Sequence, residues 1–266
     1  MNVSTLGLRT ELIFHRFDGV VTDRGDHMVI EAPANPSFYW GNLLYFPAPP
    51  TENDVERWPS MFRAAFEGRG RVQHMAFAWD TRDGSVGAAE QFVPLGYTVE
   101  RSVVLTTDSV RRPEKCAEDV IVRRLESDED FEQAIGNQLE NAPPGCDATA
   151  YEQFTRLQFV RWRRMSAAGL GGWWGAFVDD RLVGELGVYQ ENGLGRFQSV
   201  ATHPDFRRRG VCGRLVYEVS SRTLADGSDT LVIVADVDFH AAKIYESVGF
   251  NEVERGVGLL LRPPNP

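Results

Sequence analysis

One stretch of this 266-residue chain is written twice. AAEQFVPLGYTVERSVVL, from Ala88, aligns with AAKIYESVGFNEVERGVGLL, from Ala241. Both open on Ala-Ala, carry an aromatic at Phe92 or Tyr245, turn at Gly96-Tyr97 or Gly249-Phe250, and enter a strand containing Glu-Arg. A repeat of this length means that a supersecondary unit was copied, which restricts the fold to two related halves. Upstream of the first copy, HMAFAW reads as a strand like the TLVIVADV that precedes the second, and Trp58–Phe66 as the helix before it. The polar residues 112–119 lie between the halves. The expected domains are therefore 1–115 and 116–266.

The second half has the clearer pattern. Val120–Leu125 reads as a strand, and Ser127 followed by Asp128, Glu129 and Asp130 as a helix start with acidic residues in the first turn. That helix runs to about Asn141 and breaks at Ala142-Pro143-Pro144-Gly145. A longer one follows from Ala148 to about Ala168, with Tyr151, Phe154, Leu157, Phe159 and Trp162 as its apolar side and Gly171-Gly172 as its stop. Three strands come next, WWGAFVDD, RLVGELGVY and GRFQSVATH, joined by tight turns at Asp179-Asp180 and Asn192-Gly193. A helix to about Ala225, a buried-type strand at TLVIVADV, a short helix at FHAAKIYESVG and a final strand complete the half. The order β-α-α-β-β-β-α-β-α-β specifies an α/β fold, a mixed twisted sheet flanked by helices.

The chemistry concentrates at HPDFRRRGVCG, between the third strand of that trio and its helix. A glycine-rich turn that opens a helix points backbone N–H groups outward at the positive end of the helix dipole. Small residues at Gly210, Cys212 and Gly213 let a ligand approach the backbone closely. Such a turn suits a phosphate or pyrophosphate. The first half has no counterpart: PAPPTENDVERWP precedes its helix, and Gly68-Arg69-Gly70 precedes a strand. The formal net charge of −10 argues against nonspecific nucleic-acid binding, so the arginine run opposes the global sign. Cys116, Cys146 and Cys212 are an odd, widely spaced set without a CxxC pair, which favours free thiols over a disulfide framework or zinc site. There is no apolar run of membrane-spanning length and no signal-like N-terminus, so a soluble cytoplasmic protein is expected.

With these motifs in order, the chain resembles the GNAT superfamily of acyl-CoA-dependent N-acetyltransferases. The resemblance is carried well over about residues 120–261 and weakly over 1–110. The family pattern Arg/Gln-x-x-Gly-x-Gly/Ala falls on Arg207, Gly210 and Cys212, with Cys212 a small departure. The pattern Asn-x-x-Ala-x-x-Leu-Tyr followed by Gly-Phe falls on Asp238, Ala241, Ile244, Tyr245 and Gly249-Phe250. Asp238 in place of Asn keeps an acceptor and loses an amide donor. The resemblance implies two GNAT-like domains related by duplication, the first degenerate and the second binding acetyl-CoA. It implies that the pantetheine arm pairs with the backbone of Val200 and Thr202, and that the amides of Arg209, Gly210, Val211, Cys212 and Gly213 cradle the pyrophosphate. The side chains of Arg207, Arg208 and Arg209 would screen its charge, Val200 N–H would steady the oxyanion, and Tyr245 would protonate the leaving thiolate.

The base is less plain in the sequence. Some family members carry a glutamate eleven residues before the motif arginine, where this chain has Arg196. Glu185 and Asp236, on neighbouring strands, are the substitutes, either acting through water. Glu185, among apolar neighbours, also fits a role pairing within the sheet. Strand alternation assigns one of Trp173 and Trp174 to the core and the other to the cleft. His203 and His240 flank turns and fit hydrogen-bonding roles, and no metal is expected. The expected function is N-acetylation of a primary amine, on a small molecule or peptide, by direct attack on the thioester. The alternative is a catalytically silent acyl-CoA sensor. A tandem arrangement is also similar to mycothiol synthase and to the aminoacyl transferases of peptidoglycan bridges, although the CoA turn disfavours an aminoacyl-tRNA donor. No nucleic acid or membrane partner is expected, and the protein would be a monomer or homodimer.

Overall fold

A computed structural model describes residues 1, 3–68, 72–237 and 241–263. Asp238 and His240, and Arg69 and Gly70 of the first half, lie outside the described residues. In chain order the elements are α1 (Leu6–Asp18), β1 (Val20–Asp23), β2 (Met28–Glu31), β3 (Leu43–Phe46), α2 (Asp54–Phe66), β4 (Met75–Trp79) and β5 (Thr98–Thr107). There follow β6 (Ile121–Arg124), α3 (Asp128–Glu140), α4 (Ala148–Ala167), β7 (Gly171–Val178), β8 (Arg181–Glu191), β9 (Leu194–Thr202), α5 (Val211–Ala225), β10 (Thr230–Asp236), α6 (Ala241–Val248) and β11 (Asn251–Leu261). The chain divides into two compact units, Met1–Val104 with Val253–Pro266, and Leu105–Glu252. The division falls inside β5 and β11, so the final strand groups mainly with the first unit, and the expected boundary at 115/116 lies within the second.

In the first unit the strand order is β1-β2-β3-β4-β11-β5. The β1, β2 and β3 pairings are antiparallel, β3 and β4 are parallel, and β4 and β11 are antiparallel. Alternation along β3 sends Leu43 and Tyr45 to one buried face and Leu44 and Phe46 to the other. The second face is filled by aromatic rings, with Trp58 of α2 stacked on Phe46 at 3.8 Å between centroids. The segment expected to match the α6 helix, Ala89–Leu95, is a 3-10 turn with Pro94 inside it. A missing N–H at Pro94 weakens any α-helical continuation there.

In the second unit the order is β10-β9-β8-β7-β6, antiparallel except for the parallel β9–β10 pair. Both hairpin turns have the left-handed residues that a two-residue connection requires: φ is 45° and 64° at Asp179-Asp180, and 51° and 77° at Asn192-Gly193. The α3 helix starts in a reciprocal cap, Asp130 N–H donating to Ser127 Oγ at 3.1 Å and Ser127 N–H to Asp130 Oδ2 at 3.3 Å. Arg123 adds two hydrogen bonds to the same carboxylate, and their charge holds Asp130 well below the usual carboxylate range.

The face and the stop of α4 both differ from the sequence expectation. The α4 helix buries Thr155, Gln158, Phe159, Arg161, Trp162 and Met165, while Leu157 is exposed and Tyr151 and Phe154 are half-buried. Its true inner face is part polar, so the apolar letters alone point about one residue off. The helix stops at Ala167 with Gly169 left-handed at φ 78°, and Gly171-Gly172 begin β7 instead. The polar stretch 112–119 is docked on the turn into α5: a Cβ on Gly210 would lie 2.9 Å from Ala117 N, and one on Gly213 3.1 Å from Pro113 Cγ.

Candidate active site

The site begins where two parallel strands part. Backbone pairing between β9 and β10 covers Leu194–Arg196 against Thr230–Val232 and stops there, although β9 runs on to Thr202 and β10 to Asp236. The opening is a cleft of about 180 Å³ lined by Phe197, Ser199 and Val200 of β9, Ile233–Asp236 of β10, and Tyr245 of α6. Strand edges left unpaired on the two sides of such a cleft can receive an extended ligand by strand-like hydrogen bonding.

Midway along β9 the pairing with β8 slips. Glu185 faces Ala201 and Gly187 faces Gln198, so one extra residue is accommodated on β9 between them. Ser199 takes up the irregularity with φ at 46°, a left-handed backbone uncommon for a residue with a Cβ. Val200 follows it at the cleft wall.

The faces of the sheet are set by β8. A Cβ on Gly184 would meet Val211 Cγ1 at 2.9 Å, so Gly184 lies against α5. Glu185 therefore faces the opposite way, toward α3. It is fully buried, and Trp173 Nε1 donates to its Oε2 at 2.7 Å while Asn137 Nδ2 and Gln138 Nε2 donate to its Oε1 at 3.2 and 3.0 Å. Burial pushes its carboxyl up to about 8, against the opposing pull of the Trp173, Asn137 and Gln138 donors. Glu185 is not among the cleft-lining residues.

Asp236 and Tyr245 do line the cleft. Asp236 is exposed at the end of β10. Tyr245 is only 4 % exposed, and desolvation raises its hydroxyl well above its ordinary value, with the Cys212 sulfur acting in the same direction. The α5 helix, which carries Cys212, packs against α6, which carries Tyr245. The Cys212 thiol is itself pushed up to about 12 by burial, so it stays a neutral small group.

The α5 N-terminus has Gly210 as its cap residue, at φ 86° and without a side-chain acceptor. The first N–H groups of this 15-residue helix thus receive no capping side chain. Val211 is 2 % exposed and packs in the core, which leaves only its backbone for a ligand. The arginines spread apart: Arg207 donates to Asn141 Oδ1 at 2.7 Å, Arg208 stands exposed at φ 58°, and Arg209 pairs with Asp119 at 2.8 Å and lies over the Phe206 ring. Thr202, at the end of β9, is paired with Gly184 and is not part of the cleft wall.

Other sequence candidates are placed elsewhere. Arg196 is 6 % exposed, with its Nε donating to Phe197 O at 3.1 Å, and does not line the cleft. Neither tryptophan reaches it: Trp173 stacks on Trp162 of α4 at 4.2 Å, and Trp174 lies under Arg222 of α5. His203 Nδ1 accepts from Asp205 N–H at 3.2 Å and so caps the turn before Arg207. Sequence reasoning missed Asn137, Gln138 and the Ser199 irregularity; the one available signal was that a buried Glu185 must find donors somewhere.

Comparison with known proteins adds to this geometry. Residues 134–257 match the family model described as an acetyltransferase (GNAT) domain. Among solved structures, a GCN5-related N-acetyltransferase from Kribbella flavida is 16% identical with a TM-score of 0.66, covering 97% of this chain and 94% of its own. A conserved protein of unknown function from Staphylococcus epidermidis is 17% identical with a TM-score of 0.68, covering 93% and 95% respectively. A tandem GNAT protein from the clavulanic acid biosynthesis pathway is 13% identical with a TM-score of 0.54, covering 96% and 88%. The fold is a GNAT fold. No curated protein matches the sequence significantly. Among the described residues no helix is long and apolar enough to cross a membrane.

Proposed function

We propose that the second unit is an acetyl-CoA-dependent N-acetyltransferase acting on a primary amine of a small molecule or peptide. The observation that carries this reading is the parting of β9 and β10 into a cleft lined by Val200, Asp236 and Tyr245, with the uncapped α5 helix following β9 and packing against α6. The pantetheine arm would pair with β9 at Val200 and Thr202. The pyrophosphate would sit on the amides of Arg209–Gly213, with Arg207, Arg208 and Arg209 around it. Asp238, the remaining expected contact, lies outside the described residues.

An amine with a pKa of about 10 must shed a proton before it attacks. Asp236 is the carboxylate at the cleft, so it takes the role of base, directly or through water, in preference to the enclosed Glu185. Attack forms the new C–N bond and pushes charge onto the carbonyl oxygen, which Val200 N–H would meet. Collapse breaks the C–S bond, and Tyr245, protonated through neutral pH, offers its O–H to the departing thiolate. The first unit is proposed as a degenerate copy of the same fold, from a shared progression of three antiparallel strands, a crossing helix and a parallel partner.

Titration calorimetry with acetyl-CoA and turnover on an amine panel test the reading together. Arg208→Glu should weaken acetyl-CoA binding about tenfold, by roughly 1.4 kcal/mol, and Tyr245→Phe should lower kcat while binding is retained. Absence of acetyl-CoA binding by the unaltered protein would sink the proposal. Binding without turnover on any amine, unaffected by Tyr245→Phe, would instead establish an acyl-CoA sensor.

A further inference from the structure

Glu185 has a chemical consequence beyond its own burial. The Gln138 side-chain amide sends one N–H to Glu185 Oε1 at 3.0 Å and its other toward the carbonyl oxygen of Ser199 at 3.3 Å. The carbonyl of Ser199 and the N–H of Val200 belong to one peptide unit. That unit is planar, and its C=O and N–H point in opposite directions, so holding one aims the other. Gln138 approaches from the α3 side, and Val200 lines the cleft.

We propose that Gln138, oriented by Glu185, is a positioning residue that fixes the Ser199–Val200 peptide so that Val200 N–H meets the oxyanion. This rests on the acyltransferase reading given above. Three features support it. Ser199 is left-handed at φ 46°, a conformation of a non-glycine residue that persists only where its surroundings hold it. The adjacent slip in β8–β9 pairing disturbs the regular ladder at this peptide, so a side chain has to supply the restraint. The orientation of Gln138 follows from its two partners: the Ser199 carbonyl can only accept, so the nitrogen end of the amide faces it, and the same nitrogen donates to Glu185 Oε1. A hydrogen bond accepted by the Ser199 carbonyl also polarises the Val200 N–H of the same peptide, strengthening it as a donor.

The test replaces Gln138 by Met, which keeps length and helix propensity and removes both donors. With acetyl-CoA and an accepted amine, Gln138→Met should lower kcat at least about tenfold, a fraction of the loss seen when an oxyanion donor is deleted outright. Affinity for acetyl-CoA, by calorimetry, should stay within about twofold. The Val200 amide resonance, read by NMR in the protein without ligand, should move. A purely structural role for Gln138 would lower the melting temperature and leave kcat of the folded fraction and the Val200 resonance where they were, which overturns the proposal. If Gln138→Met does not fold, Gln138→Glu carries the same measurements, since it places an oxygen against Ser199 O. If the unaltered protein turns over no amine, the acyltransferase reading fails on its own account. The Val200 resonance then decides alone whether Gln138 sets this peptide.

Discussion

A carboxyl group with no solvent access loses most of what stabilises its charge, and three N–H donors at Glu185 restore only part of it. Its folded value, near 8, stands above the roughly 4.3 of an unfolded glutamate. The sign follows from proton counting. Between those two values the unfolded chain has released this proton and the folded chain retains it, so the native state loses ground as pH rises and the loss levels off above about 8. Glu185→Gln removes the titration while preserving a neutral group of the same shape. Urea unfolding at pH 5, 6.5 and 8 should therefore show the stability difference shifting steadily in favour of the variant, with a slope approaching about 1.4 kcal/mol per pH unit. A difference that is constant across this range would mean that the donors, and not burial, set the charge state. Tyr245 and Cys212 follow the same physics, burial raising the hydroxyl and the thiol further above their ordinary values, so both stay protonated.

At the scale of elements, the turn into α5 has two reasons for its glycines. An anion on the helix end needs close approach to the backbone, and the chain itself also approaches there: the Gly210 carbonyl accepts from Ala117 N–H at 3.4 Å and Gly210 has no room for a Cβ. Gly210→Ala combines a left-handed backbone at φ 86° with a Cβ 2.9 Å from a backbone nitrogen. It should cost about 1–3 kcal/mol of stability, measured as a lowered melting temperature without ligand. A variant as stable as the parent would show that residues 113–117 are not held against the turn. Much of this element pattern was legible beforehand. Ser127 with Asp130 announced the α3 cap, and Asn192-Gly193 announced its hairpin, because both are local chemistry. The α4 face was misread because Thr155 and Gln158 are buried polar residues, which hydrophobic periodicity counts as surface. Tyr245 and Val200 followed from motif order, and Asp236 was one of two carboxylates, with Glu185, that neighbouring strands offered. Gln138 could not be found this way, because its role depends on which strand α3 covers and on an irregularity at Ser199 that no residue type marks.

For the whole molecule, the repeat raises the question of how many sites the chain has, and the parallel strand pairs of the two units bear on it. In the second unit β9 and β10 part after Arg196 and Val232. In the first, β3 and β4 remain paired to their last residues, Phe46 against Trp79, and Asp80 N–H continues the ladder to Phe46 O at 2.9 Å. Trp58 lies flat on Phe46, so an aromatic core occupies the face where that strand pair ends. Opening it would expose several large rings, at about 25 cal/mol per Å² of apolar surface. The helix that follows β3 also lacks a glycine cap, beginning after Asn53 with Asp54 turned back to Thr51 N–H at 2.8 Å. An acidic side chain at that helix start repels a phosphate, whereas Gly210 brings no carboxylate to the start of α5. Calorimetry should therefore return one acetyl-CoA per chain, and a stoichiometry of two would mean that the first unit opens a cleft of its own. Asp54→Gly tests the same point from the other side: freeing that helix end should leave the stoichiometry at one, because the closed strand pair, and not the cap alone, denies the pantetheine arm its edge.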